Sequence, residues 1–322
     1  MPLKKLHYVL SFLVIAGIVT LPLYYSTVTA DDFVGVYGSV DALTITTDDM
    51  TLMVNDYKPS FTWWSFNQTS SDEKYNLRFS KVYEYFGTDP FLDSAIELGG
   101  INYNLLTSDW ESSLVEDSYN AYLNLTLSGL ANNVEIQFII HVSAFHRSVN
   151  NTDYLVKPFI EAKINIVIKN WIFSPGAQGV AFKVELFESQ QINDVDLKNS
   201  SSLYTNIDAL DFMNYASYPA EKASFKWLEV ADYYNDTVLN ETDLIGTAFF
   251  NETYTPPEDE ILHMWISYPK VEDNFMIAHT AILGLYDPSS EYPTGEYGVS
   301  IFALISIIFV ANIGYIIYRR KK

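Results

Sequence analysis

Residues 133–144 read NVEIQFIIHVSA. The apolar side chains fall on every second position: Val134, Ile136, Phe138, Ile140, Val142 and Ala144. Between them stand Asn133, Glu135, Gln137, His141 and Ser143. Side chains on a strand alternate between its two faces, so this spacing predicts a strand with one buried and one wet face. Strands of that kind build antiparallel sheets.

The same pattern spreads outward from this stretch. In IEAKINIVIKNWI (160–172), Ile160, Ala162, Ile164, Ile166 and Ile168 share one face, and Glu161, Lys163, Asn165 and Lys169 share a predicted wet face. In YNAYLNLTL (119–127), Tyr119, Ala121, Leu123, Leu125 and Leu127 are expected to point inward, and Asn124 and Thr126 outward. FMIAHTAILGLY (275–286) is apolar on both faces, which predicts a central or covered strand. Further strands are expected near 35–47, 50–57, 61–66, 75–86, 179–188, 223–234, 244–250 and 260–268. The Pro/Gly stretch SPGAQG (174–179) predicts a hairpin joining 160–173 to 179–188. Helix is scarce. Asp89 as N-cap, Pro90 in the first turn and Gly99–Gly100 past the end predict a short one over 89–100, and NIDALDFMNYA (206–216) suggests another. The fold class that follows is mostly β, an antiparallel β-sandwich, with either one large sandwich or two small ones over residues 31–286.

The two ends differ from this body. Lys4 and Lys5 precede an apolar run from Leu6 to Leu21, and TVTA closes at Ala30. Basic region, apolar region and small-residue site are the order of a secretory signal over residues 1–30, with an uncleaved anchor as the alternative. Residues 287–298, DPSSEYPTGEYG, have the turn composition of a short stalk. No charge occurs over 299–318. As a helix this run would span roughly 30 Å, the hydrocarbon thickness of a bilayer. Arg319, Arg320, Lys321 and Lys322 follow, a basic tail that the positive-inside rule places in the cytoplasm. The expectation is a single-pass protein of the cell membrane, held in lipid by the C-terminal helix, with its body outside.

Charge and composition then restrict the function. The chain carries −21 at neutral pH, and all 40 acidic residues lie between the two basic ends. Such a field repels phosphate backbones and argues against a nucleic-acid partner. There is no cysteine, hence no thiol nucleophile and no Cys-ligated metal. Asn67, Asn124, Asn150, Asn199, Asn235, Asn240 and Asn251 stand in Asn-x-Ser/Thr sequons, candidates for glycosylation. His141 and His146 are five apart, on opposite faces of a strand, and His263 and His279 are isolated, so the histidines read as structural. Asp89, Asp93 and Glu97 recur every fourth position and are weak candidates for a calcium site. They lack the alternating Asp/Asn series ending in Gly that a strong calcium loop shows, so no cofactor is expected. No nucleophile elbow, zinc-protease motif or phosphate loop occurs. Trp171 and Trp265 fall on the more polar side of their strands and are the candidates for a ligand platform.

PSFTWWSF (59–66), YNLRFSKVYEYFGTDPFLDSAIELGG (75–100), TSDWE (107–111) and IEAKINIVIKNWIFSPGAQGVAFKVEL (160–186) resemble segments of uncharacterised archaeal cell-surface proteins. The resemblance covers about residues 35–285 and implies a β-sandwich at an archaeal cell surface, with no assigned activity. The chain departs from it at 84–93, where the Asp/Asn/Gly series is missing. Taken together, the expected role is that of a non-enzymatic surface glycoprotein, structural or adhesive, with envelope or surface proteins as partners. The alternatives are an extracellular carbohydrate- or peptide-binding module and an extracellular hydrolase.

Overall fold

The computed structural model describes residues 34–66, 74–87, 100–150, 152–188, 195–196, 207–214, 220–235, 238–241, 262–271 and 276–285. Two antiparallel sheets stack as a sandwich-like pair. The first contains β1 (Gly35–Gly38), β2 (Ala42–Thr46), β3 (Met50–Asn55), β4 (Ser60–Ser65), β5 (Tyr75–Tyr85) and β6 (Asn102–Asn104). The second begins with β7 (Glu111–Asp117), β8 (Asn120–Leu127) and β9 (Glu135–Ser143). A small hairpin of β10 (Arg147–Ser148) and β11 (Leu155–Val156) follows, and then β12 (Glu161–Lys169) rejoins the second sheet. β13 (Gly179–Glu188) returns to the first sheet. β14 (Val195–Asp196), β15 (Ile207–Asn214), β16 (Ala220–Leu228), β17 (Asp232–Asn235) and β18 (Val238–Glu241) belong to the second. β19 (Leu262–Pro269) closes the first, and β20 (Met276–Leu285) lies inside the second, between β16 and β12. The strand orders are β1-β2-β3-β4-β5-β13-β19 and β14-β15-β16-β20-β12-β9-β8-β7.

Alternation decides where the core sits. Val134, Ile136, Phe138, Ile140, Val142 and Ala144 are all buried, as are Ile160, Ala162, Ile164, Ile166 and Ile168. All of these except Ala144 meet Phe61, Phe79 and Phe182 of the first sheet in one continuous apolar cluster. Both sheets contribute to one core in this sandwich-like arrangement. Hydrogen bonds also tie the layers. The Trp63 indole donates to the Gly284 carbonyl at 3.0 Å, and the Thr47 hydroxyl donates to the Phe159 carbonyl at 2.6 Å.

Several expectations are corrected. Segments 160–173 and 179–188 do not form a hairpin: β12 and β13 lie in different sheets, and the loop between them crosses the sandwich. Asn170 adopts φ 59°, which ends the alternation and turns Trp171 and Phe173 into the core. The stretch expected as a helix near 206–216 is strand β15, paired along its length with β16. Sheet pairing there overrides the local propensity. Tyr119 is exposed, because β8 starts only at Asn120. The predicted wet face of β12 is covered at one end, where Glu161 is 1% exposed. The β10–β11 hairpin folds over that end, burying Val149, Tyr154 and Val156 against Ile207, Leu228 and Ile282.

Strand β20 is central and buried, as its two apolar faces predict. The expected helix over 89–100, the strand near 244–250, the signal, the stalk and the run 299–318 lie outside the described residues, Gly100 excepted. Among the described residues no helix is long and apolar enough to cross a membrane.

Candidate functional site

The sequence-predicted residues do not gather into one site. Trp171 is 2% exposed and offers no face to a ligand. Its turn inward at Asn170 explains why period-two counting placed it on the polar side. Its indole Nε1 donates to Glu84 Oε1 at 3.2 Å. Trp265 does lie on the outer face of the first sheet, half-buried against Tyr83, Tyr85 and Ala181. Asp89, Asp93 and Glu97 lie outside the described residues, and among those described no group of three His, Asp or Glu is placed to hold a metal. Of the sequons, Asn124 sits half-buried on the outer face of β8, and Asn150 is exposed in the turn between β10 and β11. Asn235 and Asn240 lie in β17 and β18. Asn67, Asn199 and Asn251 lie outside the described residues.

Among the described residues two carboxylates are buried, Glu84 and Glu161, and both act as clamps. Glu84 accepts from the Trp171 indole and the Ser174 N–H at Oε1, and from the Ile101 N–H at Oε2. It thereby fixes both the crossover loop and the segment entering β6. Gly100 closes over it at φ 96°, where a Cβ would strike Glu84 Oε2. Glu161 accepts from the Tyr154 hydroxyl and from Lys226 Nζ, the latter at 2.8 Å, and from the Lys157 N–H at 2.7 Å. Lys226 also donates to the Ser224 hydroxyl at 2.7 Å. Glu161 is on β12 and Lys226 on β16, with β20 between them. The carboxylate spans that gap over Gly284, where a Cβ would come within 2.7 Å of Glu161 Cγ. Burying a charge is costly unless it is paired and hydrogen-bonded; both conditions hold for Glu161, while Glu84 is held by three N–H donors.

His279 is a buried imidazole on the core face of β20. Its Nε2 faces the Leu228 carbonyl at 2.8 Å and must therefore carry the proton, so Nδ1 accepts from the Tyr268 hydroxyl at 2.9 Å. Tyr268 belongs to the first sheet, so this neutral imidazole joins the layers. Burial pushes its pKa down to about 4. The folded value lies below the ordinary one, so the unfolded chain takes up the proton first as pH falls. The stabilisation is complete above the ordinary imidazole pKa and is lost as pH drops from there toward 4. Wild-type chain is therefore expected to lose about 2 kcal/mol more than His279→Gln between about pH 7 and pH 5. Urea unfolding at the two pH values checks this, and parallel losses in the two proteins would refute it.

The exposed chemistry concentrates elsewhere, on the outer face of the second sheet. Asn120 and Tyr122 of β8 lie opposite Ser143 and His141 of β9, and His141 lies opposite Lys163 of β12. Asn120 is the hub. Its Oδ1 accepts from Arg147 Nη2 at 2.9 Å and from the Ser143 hydroxyl at 3.0 Å, and lies 3.4 Å from His141 Nε2. Its Nδ2 donates to both oxygens of Asp117, at 3.1 and 3.2 Å. A carboxylate can only accept, which fixes the orientation of the amide. The Tyr122 ring stacks on His141 with centroids 3.9 Å apart and planes 13° from parallel. Tyr119 packs on Phe145 at 5.6 Å, and the Arg147 guanidinium lies 5.9 Å from the Phe145 ring. Burial, reinforced by the charges of Arg147 and Lys163, pushes the His141 pKa down to about 4, so this ring is neutral at physiological pH. The backbone N–H of Tyr119 holds the Asp117 carboxyl below its usual pKa.

The sequence reading places Tyr119 in the core and weighs His141 only against His146, five positions on, as a structural histidine. The signal it missed was register: the strand pairing places Asn120, Tyr122, His141 and Ser143 on one face, and the turn after β9 returns Phe145 and Arg147 onto it.

No known protein family matches the chain, and no curated protein matches it. Among solved structures, a "putative mutarotase (YeaD) from Salmonella typhimurium" aligns at 9% identity and a TM-score of 0.29, covering 79% of this chain and 97% of that one. At that TM-score the likeness carries neither fold nor activity to this chain.

Proposed function

We propose that the chain is a membrane-anchored cell-surface glycoprotein with a structural or adhesive role and no catalysis of its own. The observation that carries this reading is the order of segments: a basic-then-apolar start, an acidic β-sandwich, and an uncharged run over 299–318 that ends in Arg319, Arg320, Lys321 and Lys322. That order suits export of the body and retention of the tail. An archaeal surface setting, implied by the resemblance, belongs to the same proposal. The buried carboxylates support a scaffold over a hydrolase. Glu84 and Glu161 spend their oxygens on backbone N–H groups, an indole, a phenol and an ammonium.

Mass spectrometry of the membrane fraction tests the topology. A peptide beginning at Asp31 and one ending at Lys322 are expected, and protease applied to intact cells is expected to remove the sandwich and spare the tail. Recovery of the whole chain in the soluble fraction would end the anchoring reading. Failure of the purified chain to bind any envelope component or neighbouring cell would end the adhesive one.

A further inference from the structure

We infer that the outer face around Asn120 is a binding platform for an acidic saccharide, a chain of sugar rings bearing carboxylates. Val115, Tyr119, Tyr122 and Phe145 are exposed on this face or beside it, with Val115 opposite Tyr122 and Tyr119 packed on Phe145. Solvent-exposed apolar and aromatic groups gathered in one place mark an interaction surface. The polar groups among them are built rather than scattered: a single amide, Asn120, orients Ser143, Arg147, Asp117 and His141.

Two features choose the ligand. The first is charge. Arg147 and Lys163 flank the Tyr122–His141 stack, and among the described residues neither forms an ion pair with a carboxylate. Asp117, which feels the charge of Arg147, hydrogen-bonds instead to the Tyr119 N–H and Asn120. In a chain of net charge −21, two cations without such partners on one face favour an anion, and a guanidinium suits a carboxylate. The second is shape. The backbone of β8 and β9 is engaged in sheet pairing on both sides, so under the Tyr122–His141 stack an extended peptide has no ladder to join; the free ladder lies on β7, at the sheet edge. What this face presents is aromatic rings beside polar tips. A sugar ring carries apolar C–H bonds on its faces and hydroxyls on its rim, and matches that arrangement. With Nε2–H turned to Asn120, His141 Nδ1 is an acceptor for one such hydroxyl.

The proposal deepens the adhesive reading and rests on it for its setting only. Topology is tested by mass spectrometry and the platform by titration, so either can fail alone. The probe is a tetramer of galacturonic acid, titrated calorimetrically into the full-length chain in detergent. Its carboxyl-reduced neutral counterpart and tetraglutamate are the comparisons. Expected is saturable binding of the acidic sugar, with the neutral sugar and the acidic peptide about tenfold weaker or more. Tyr122→Ala and Arg147→Ala are each expected to weaken binding about tenfold, with Arg147→Lys between Arg147→Ala and wild type. Tyr37→Ala, an exposed tyrosine on the first sheet, is expected to leave it unchanged. Asn124 lies on the same face two positions from Tyr122, so the series is repeated on Asn124→Gln to remove any attached glycan. Arg147 also braces Asn120 and Ser143. If its alanine variant fails to fold, Tyr122→Ala decides. The proposal is overturned by absence of binding in both backgrounds, by equal binding of neutral sugar or tetraglutamate, or by wild-type affinity in Tyr122→Ala.

Discussion

Phe138→Ala is expected to cost about 3–5 kcal/mol of unfolding free energy, among the largest losses available to a single truncation in this chain. Phe138 is fully buried at the middle of β9. Its ring lies 4.8 Å from Phe79 and 5.9 Å from Phe182, both of the opposite sheet, and 5.7 Å from Trp110. Phe79 and Phe182 also meet edge to face at 5.8 Å. The three phenylalanines therefore form the contact through which one layer recognises the other. Removing the only member contributed by the second sheet leaves a cavity walled by two rigid ladders. Strands hydrogen-bonded on both sides cannot collapse into such a void, which places the cost near the upper part of the range for aromatic truncations. Urea unfolding of the full chain measures it. Val40→Ala, 93% exposed, is the control and should change stability by less than about 0.5 kcal/mol. A loss below about 1 kcal/mol for Phe138→Ala would mean that the layers do not pack as described.

Glu161→Ala should cost a similar amount, about 3–5 kcal/mol, for a different reason. The loss is not the strength of an ion pair, since removing both partners of such a pair can be nearly neutral. It is the cost of leaving the partly buried Lys226 without its counter-charge, and the Tyr154 hydroxyl and Lys157 N–H without their acceptor. The two single variants and the double variant Glu161→Ala/Lys226→Ala form a cycle. The double variant is expected to be more stable than the sum of the single losses predicts, by about 1–3 kcal/mol. Strict additivity would show that the two charges do not interact. A second readout follows from position. Glu161 holds the chain just after β11, so its loss should expose the β10–β11 hairpin to protease before global unfolding.

The architecture was legible wherever one face of a strand is dry and the other wet. Residues 134–144 and the core face of β12 could be assigned residue by residue, because burial imposes a period of two that no other element shares. Legibility failed where tertiary structure covers the second face or breaks the period. Glu161 read as a surface residue because nothing local announces that a two-stranded hairpin will close over it. Trp171 read as outward because a single left-handed residue, Asn170, reverses the count. The hairpin expected through SPGAQG failed for a more general reason. A Pro/Gly loop states that the chain turns but not whether it returns to the same sheet. Strand β7 gave no signal, since all seven of its residues are exposed and no burial pattern marks it. The outer-face cluster was invisible for want of register. Tyr119, Tyr122, His141 and Arg147 are far apart in sequence terms and converge only once β8 and β9 are paired in a known alignment.

The place of β20 has a consequence for how the chain is made. It is the last strand described, yet it is an interior strand of its sheet, with β12 on one side and β16 on the other. Synthesis runs from the N-terminus, so all nineteen described strands before β20 emerge while the slot between β12 and β16 stands open, two raw ladders of N–H and C=O facing each other. Neither half of that sheet can join the other until residue 285 is available. The uncharged run over 299–318 then begins within about fourteen residues. Maturation of the sandwich thus waits for β20, and a chain interrupted before it would display two sticky edges rather than a smaller version of the fold.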